Sequence, residues 1–129
     1  MNPEVKAQWV AALKSDKYRQ GSGRLWQLQP DPLEPEEVKN NGLCCLAVLC
    51  EIAFEQGIVE RKITRNERGV VYMEYGGSWD FLPTAVMAWA ELPVPDPQVG
   101  DSDNRIKLST YNDTGATFLN IAEEIEQCL

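Results

Sequence analysis

The chain has 129 residues, 43% of them hydrophobic and 25% charged, which predicts one globular domain over residues 1–129 with one hydrophobic core. Its formal net charge of −8 disfavours binding to a long nucleic acid, because phosphate contacts need a dense cationic surface. Histidine is absent, which excludes Ser–His–Asp and Cys–His catalysis within one chain and removes the commonest metal ligand.

The N-terminal segment predicts a helix that ends near Ser15. Asn2 is a suitable N-cap, Pro3 takes the first helical position, and one apolar stripe follows. The stretch YRQGSGRLWQL then predicts a glycine-containing turn and a short extended segment. QPDPLEPEEVKNNG, with three prolines and four acids, predicts a surface loop.

Residues 43–56 predict a buried central helix, because the run is too long for a typical strand and apolar side chains surround most of it. Gly57 is well placed to end this helix. The next segments, GIVERKIT, the turn RNERG and VVYMEY, predict a β-hairpin, since β-branched and aromatic residues are frequent in them.

The segment LPTAVMAWAEL predicts a third helix with Pro83 at its first position. PVPDPQVGDSDN predicts a loop, and RIKLSTY (105–111) is compatible with a strand or a short helical turn, with the strand favoured. Thr117 is a suitable N-cap for the last helix. The expected fold class is α+β, with about four helices around a buried central helix and a small antiparallel sheet or hairpin.

Three of the four cysteines lie in LCCLAVLCEIAF, and they raise the alternatives of a redox pair, a metal site, a nucleophile or core packing. C-x-x-C spacing and histidine are both missing, so a metal site is disfavoured. A cysteine on a buried helix behaves as a small hydrophobe with a poorly ionised thiol, so core packing is favoured. Cys44 is the one thiol that the helix N-terminus would help to ionise.

The segment KYRQGSGRLW is a candidate anion site. Backbone N–H groups around its glycines would face the anion, Arg19 and Arg24 would supply charge, and Tyr18 and Trp26 would offer stacking faces. The alternative is a flexible turn with solvated arginines and Trp26 in the core. That alternative is favoured, because a lone G-x-G is a weak signal.

Two loops supply the other candidate ligand-binding residues. In YGGSWDFLP, Trp79 and Asp80 would either line a ligand pocket or fix the loop to the core. In YNDTGATF, Asn112 and Asp113 would either form an Asx-turn, which is favoured, or read a ribose or a base edge.

The chain resembles a family of small proteins encoded by bacteriophages and prophages. The resemblance is carried in order by WVAALKSDKYRQGSGRL, LCCLAVLCEIAFEQG, LPTAVMAWAEL and YNDTGATFLNIAEEIE, which together span most of the chain. Leu43 and Ala47 depart from Phe and Gly in the family pattern and alter packing, and Asn120 replaces an acid and is expected to weaken a capping box. The resemblance implies a viral accessory protein and transfers no activity.

The first functional hypothesis is a non-catalytic, cofactor-free module that sequesters a small anionic ligand, such as a nucleotide signal in antiviral defence. A homo-oligomer is compatible with this role. The alternative is an acidic inhibitor that docks onto a host defence protein, which the net charge and the acidic loops at 31–37 and 96–103 motivate. An enzyme would need a Cys44 thiolate, or a metal held by Asp80 and Asp113, and is disfavoured.

The expected location is the cytoplasm of an infected bacterial host. No apolar run reaches the roughly 18 residues that span a bilayer. The start, MNPEVKAQWV, lacks the basic and apolar regions of a secretory signal.

Overall fold

A computed structural model describes residues 1–23, 25–27, 42–65, 67–68 and 71–129, and it has the predicted α+β class. Within these residues the elements follow one another in this order: α1 Pro3–Lys14, β1 Arg19–Gln20, β2 Trp26–Gln27, β3 Gly42–Leu43, α2 Cys45–Glu55, β4 Arg61–Arg65, β5 Val71–Tyr75, α3 Thr84–Ala90, β6 Gln98–Val99, β7 Ile106–Lys107, α4 Leu108–Asp113 and α5 Phe118–Cys128. The predicted proline-rich loop lies outside the described residues, apart from its last glycine.

Helix α1 begins and ends where the sequence predicts. The side-chain oxygen of Asn2 accepts hydrogen bonds from the N–H groups of Glu4 and Val5, at 2.9 and 3.2 Å, and so satisfies two of the donors that a helix start leaves unpaired. Trp9 is fully buried, and its indole N–H donates to the carbonyl of Cys45 at 2.9 Å. This bond joins α1 to the start of α2.

Helix α2 is the buried central helix that the apolar run predicts. Its residues from Cys45 to Ala53 are all buried, and Gly57 follows with a φ of +76°, which favours glycine. Leu43 does not begin this helix. It belongs to β3, which pairs in parallel with β1 and antiparallel with β2.

The predicted hairpin is confirmed as the antiparallel pair β4–β5, with Ile63 opposite Met73. Met73 and Tyr75 are buried, so this face of β5 covers the core. Part of the predicted turn (66 and 69) and the first residue of VVYMEY (70) are outside the described residues.

The stretch from residue 93 to 113 differs from the prediction. The expected loop contains β6, which pairs with β7 so that Val99 lies opposite Ile106. RIKLSTY is strand and helix in succession, since α4 begins directly after β7. The strand pair and the helix that follows it together place the side chains of Val99 and Leu108 in the core, where both are buried.

Two helix starts also differ in detail. Pro83 is the N-cap of α3 and not its first helical residue. At α5, Thr117 Oγ1 accepts from the N–H of Asn120, and Asn120 Oδ1 accepts from the N–H of Thr117, both at 3.1 Å. Both hydrogen bonds of the capping box therefore form with Asn120, because the amide oxygen of asparagine can accept the hydrogen bond that a carboxylate would accept. None of the described helices has the length and apolar character needed to cross a bilayer.

Candidate functional site

The cysteines of the central segment pack in the core. Cys44 is 3% exposed, and Cys45 and Cys50 are fully buried. Burial raises the pKa of Cys44 to about 12 and outweighs the hydrogen bonds from the backbone at Ala47 and Leu46, which lower it. Burial likewise raises the pKa of Cys45 and Cys50 well above 9.0. At neutral pH these thiols remain protonated and are poor nucleophiles.

The glycine segment 21–23 already holds a carboxylate of the protein itself. The N–H of Gly23 donates to Asp113 Oδ1 at 3.0 Å, and the side-chain amide of Asn112 donates to the same oxygen at 3.1 Å. The hollow beside this segment measures about 350 Å³, and Asp113 is the one charged residue among the described residues that line it. An external anion would therefore meet a negative charge and an occupied donor here.

Asn112 is a structural hub. Its side chain is 4% exposed, and its oxygen accepts from the Gln20 amide at 3.0 Å and from the N–H of Cys45 at 3.2 Å. Its amide nitrogen donates to the carbonyl of Gly21 at 2.8 Å and to Asp113. The predicted Asx-turn was wrong, because both residues belong to α4. Four hydrogen bonds saturate the Asn112 amide, so little capacity remains to read a ligand.

The structure separates the other predicted site residues. Tyr18 is 5% exposed, so its ring offers no open stacking face, whereas Arg19 is exposed on β1. Arg24 and the side chain of Trp26 lie outside the described residues. Of the four side chains predicted to bind an anion within residues 18–26, Arg19 is the one that is both described and exposed.

Trp79 and Asp80 lie in the loop after the hairpin. Trp79 is 41% exposed, its ring lies 6.2 Å from that of Tyr72, and its carbonyl accepts from the N–H of Leu25 at 3.2 Å. Asp80 accepts from the N–H of Phe81 at 2.9 Å, within its own loop. The structure thus brings Trp79 to the segment around Leu25, and it brings Asn112 and Asp113 to residues 20–23.

A buried charged cluster was missed by the sequence reasoning. Glu51 is 1% exposed, accepts from the hydroxyl of Tyr75 at 2.7 Å, and pairs through its other oxygen with Arg61. The Arg61 guanidinium lies 4.0 Å from the ring centroid of Phe54. Burial and the neighbouring Glu51 carboxylate raise the pKa of Tyr75. A single acid within LCCLAVLCEIAF was the available signal, since such a residue needs a buried partner.

A second missed feature is an acidic cleft of about 470 Å³ between the β6–β7 connection and the end of α5. It carries the carboxyl groups of Asp101 and Glu124, and Ile106 and Tyr111 add apolar surface. The N–H of Gly100 donates to the sulfur of Cys128 at 3.3 Å, so the two segments that line the cleft are in contact.

Backbone geometry fixes the shape of this acidic cleft. Asp101 Oδ1 accepts from the N–H groups of Asp103 and Asn104, at 3.1 and 2.9 Å. Gly100 has a φ of +100°, and a Cβ there would lie 2.2 Å from the Asn104 carbonyl oxygen, so this turn requires glycine. The sequence shows that the segments around Asp101 and Glu124 are acidic, but it does not show that they lie next to each other in the fold.

Among the described residues, no three His, Cys, Asp or Glu side chains are grouped so that they could hold a metal ion. Asp80 and Asp113 each accept hydrogen bonds from nearby N–H groups. These two carboxylates therefore stabilise the local backbone through hydrogen bonds.

No curated protein and no solved structure matches the chain. A family model described as a domain of unknown function, DUF8296, matches residues 1–129, and the chain belongs to this family.

Proposed function

We propose that the chain is a non-catalytic binding protein whose acidic cleft docks onto a basic partner protein. One observation carries the proposal: Asp101 and Glu124 line the same hollow of about 470 Å³, and Ile106 and Tyr111 add apolar surface to it. An arginine or lysine has an apolar stem and a cationic head, and the cleft complements both parts.

Charge outside the cleft supports the same partner class. Two further acids are exposed beside the cleft: Asp103 lies between the lining residues Asp101 and Asn104, and Glu123 directly precedes Glu124. The net charge of the chain is −8. A field of this sign attracts a basic partner during diffusional encounter, and salt weakens that attraction. If the resemblance to phage-encoded proteins extends to biological role, the partner is a host defence protein such as a nuclease.

The test removes the cleft charges without breaking the turn. Asp101→Asn keeps the Oδ1 acceptor, and Glu124→Gln keeps the side-chain length, so the double variant removes both charges with little change of side-chain shape. The matched control is Glu60→Gln with Glu91→Gln, two exposed acids outside the cleft lining. The immobilised chain, incubated with host lysate, is expected to retain a basic protein at low salt and release it at high salt.

We expect the cleft double variant to weaken affinity for the purified partner at least about tenfold and the control to leave it within about twofold, because paired charges at the contact contribute more than distant ones. Equal weakening by both double variants would mean that net charge alone acts and would overturn the role of the cleft. Absence of any salt-sensitive partner would overturn docking itself.

Sequestration of a small anionic ligand by residues 18–26 is the weaker candidate. Exposed Arg19 favours it, but the ligand would have to displace Asp113 from the N–H of Gly23. Thermal unfolding with a nucleotide panel tests it, since a ligand that binds the folded state raises the melting temperature. Stabilisation that Arg19→Gln abolishes would support this candidate, and stabilisation that this substitution leaves unchanged would exclude it.

A further inference from the structure

We propose a site for a small phosphate-bearing molecule in a third hollow, formed by the segment before β6 together with β7. The hollow measures about 560 Å³, a volume in the usual range for small-ligand sites. The residues that line it are Val94, Pro95, Asp96, Gln98, Arg105 and Lys107. This site is separate from the acidic cleft and does not depend on the docking proposal.

Strand geometry brings two cations to one side of β7. Arg105 and Lys107 flank Ile106, and side chains two residues apart in an extended chain point to the same face. Ile106 lines the acidic cleft, whereas Arg105 and Lys107 line this hollow. The strand therefore separates an acidic surface from a cationic one.

Neither cation is neutralised by a carboxylate within the part of the chain that the structure describes. Arg105 donates to the carbonyl of Gln98 at 3.4 Å, which holds the guanidinium beside the strand pair. Lys107 lies opposite Gln98 in the β6–β7 register and is exposed. Both groups are therefore available to an anion in the hollow.

Among the described residues of this lining Asp96 is the one acid, and its oxygens are directed towards α4. Its Oδ1 accepts from the N–H of Ser109 at 3.0 Å, and its Oδ2 accepts from the Ser109 hydroxyl. Counting Arg105 and Lys107 as +2 and Asp96 as −1, the described residues of the lining carry a charge of +1 in a protein of net charge −8. The hollow is a local exception to the acidic character of the chain.

The chemistry of the lining indicates the ligand class. A planar guanidinium and an ammonium group together suit the several oxygens of a phosphate. Val94 is 43% exposed, and with Pro95 it offers apolar surface for a base or a sugar attached to that phosphate. A mononucleotide combines both features, so it is the simplest probe.

The experiment compares adenosine monophosphate, inorganic phosphate and adenosine by thermal unfolding and by amide NMR titration. We expect saturable stabilisation by the nucleotide, a smaller effect of phosphate and none of adenosine. The perturbed amides should lie at 94–98 and 105–107. Lys107→Gln should lower the nucleotide affinity about tenfold.

The matched control is Lys62→Gln, which makes the same charge change at a lysine that is 73% exposed on β4. This substitution should leave the nucleotide affinity within about twofold of that of the unchanged chain, since Lys62 does not line the hollow. The proposal is overturned by no saturable response to either phosphate probe, by equal weakening in both variants, or by shifts confined to residues 18–23. The two proposals can fail separately. The double variant Asp101→Asn with Glu124→Gln leaves the Arg105 and Lys107 side chains intact, so it can lose partner docking and still bind the nucleotide.

Discussion

The hydroxyl of Tyr75 donates a 2.7 Å hydrogen bond to the carboxylate of Glu51 in the interior, where the two residues are 0% and 1% exposed. Arg61 pairs with the other oxygen of the same carboxylate. Tyr75 and Arg61 come from β5 and β4, and Glu51 comes from α2. The hairpin is therefore joined to the central helix by a charge that needs both donors, because an unsatisfied buried carboxylate is costly.

Replacing Tyr75 with Phe removes one of these donors and keeps the ring. We expect the free energy of unfolding to fall by about 2 kcal/mol, the size of a hydrogen bond to a charged group. Urea unfolding at pH 7 measures it. Tyr72→Phe is the control, because Tyr72 is only partly buried on the same strand, and its loss should stay within about 0.5 kcal/mol. Equal losses in the two variants would contradict a special role for Tyr75.

The sequence predicts the elements that local signals specify. Asn2 and Pro3 mark the start of α1, and Gly57 marks the end of α2. The strand pair β6–β7 carries no comparable signal, since each strand has two residues and exists through pairing with the other. The short helix α4 is likewise stabilised by long-range contacts, in particular the hydrogen bond that the N–H of Cys45 donates to Asn112 Oδ1.

The candidate sites were harder to predict than the fold. The sequence shows a carboxylate at Asp113 and a glycine segment at 21–23, but 90 positions separate Asp113 from Gly23. Similarly, Gly100 and Cys128 meet across 28 positions, and both residues line the acidic cleft. Composition and spacing identify residue types, whereas which groups satisfy one another depends on tertiary packing.

A second prediction concerns the saturated amide of Asn112. Asn112→Asp keeps the oxygen acceptor but removes the donor to Gly21, and it places a second carboxylate beside Asp113. We expect a loss of about 3 kcal/mol, since a buried carbonyl loses its donor and the added charge is buried. Urea unfolding measures the loss, and Asn104→Asp, at an exposed position, should change stability by about 0.5 kcal/mol or less. A small effect at Asn112 would show that the hub is dispensable.

A third prediction separates backbone strain from steric overlap at glycine. Gly77 has a φ of +86° and no atom within 4 Å of an added Cβ, so Gly77→Ala should cost about 1 kcal/mol from the left-handed backbone alone. Gly100→Ala should cost about 3 kcal/mol, because its Cβ would also overlap the Asn104 carbonyl. Thermal and urea unfolding of both variants compare the two costs. Equal costs would contradict the tight turn that shapes the acidic cleft.

The exposure of the thiols leads to a fourth prediction. Of the four free cysteines, Cys128 is exposed and the other three are buried. A thiol-reactive disulfide reagent should modify one equivalent rapidly in the folded protein and the remaining three only in urea, because access requires unfolding. Cys128→Ser should abolish the rapid phase. Rapid modification of a second thiol in the folded protein would contradict the packing of the central helix.

Alkaline pH should destabilise the protein through Cys44. Its pKa rises from 9.0 to about 12 on folding because the thiol is buried. Below pH 9 both states keep the proton, and between pH 9 and 12 the unfolded chain releases it while the folded chain retains it, so stability falls with rising pH. One such thiol contributes a slope of about 1.4 kcal/mol per pH unit.

Cys44→Ala should remove that contribution, so the stability of the variant should decline less steeply above pH 9 than that of the unchanged chain. Urea unfolding at several pH values from 7 to about 10.5 measures the two slopes, and the values at pH 7 give the packing cost of the substitution separately. Parallel slopes would show that the Cys44 thiol ionises as easily in the folded chain as in the unfolded one. A thiol of that kind would be open to nucleophilic chemistry, and the non-catalytic role proposed for the chain would lose its main chemical support.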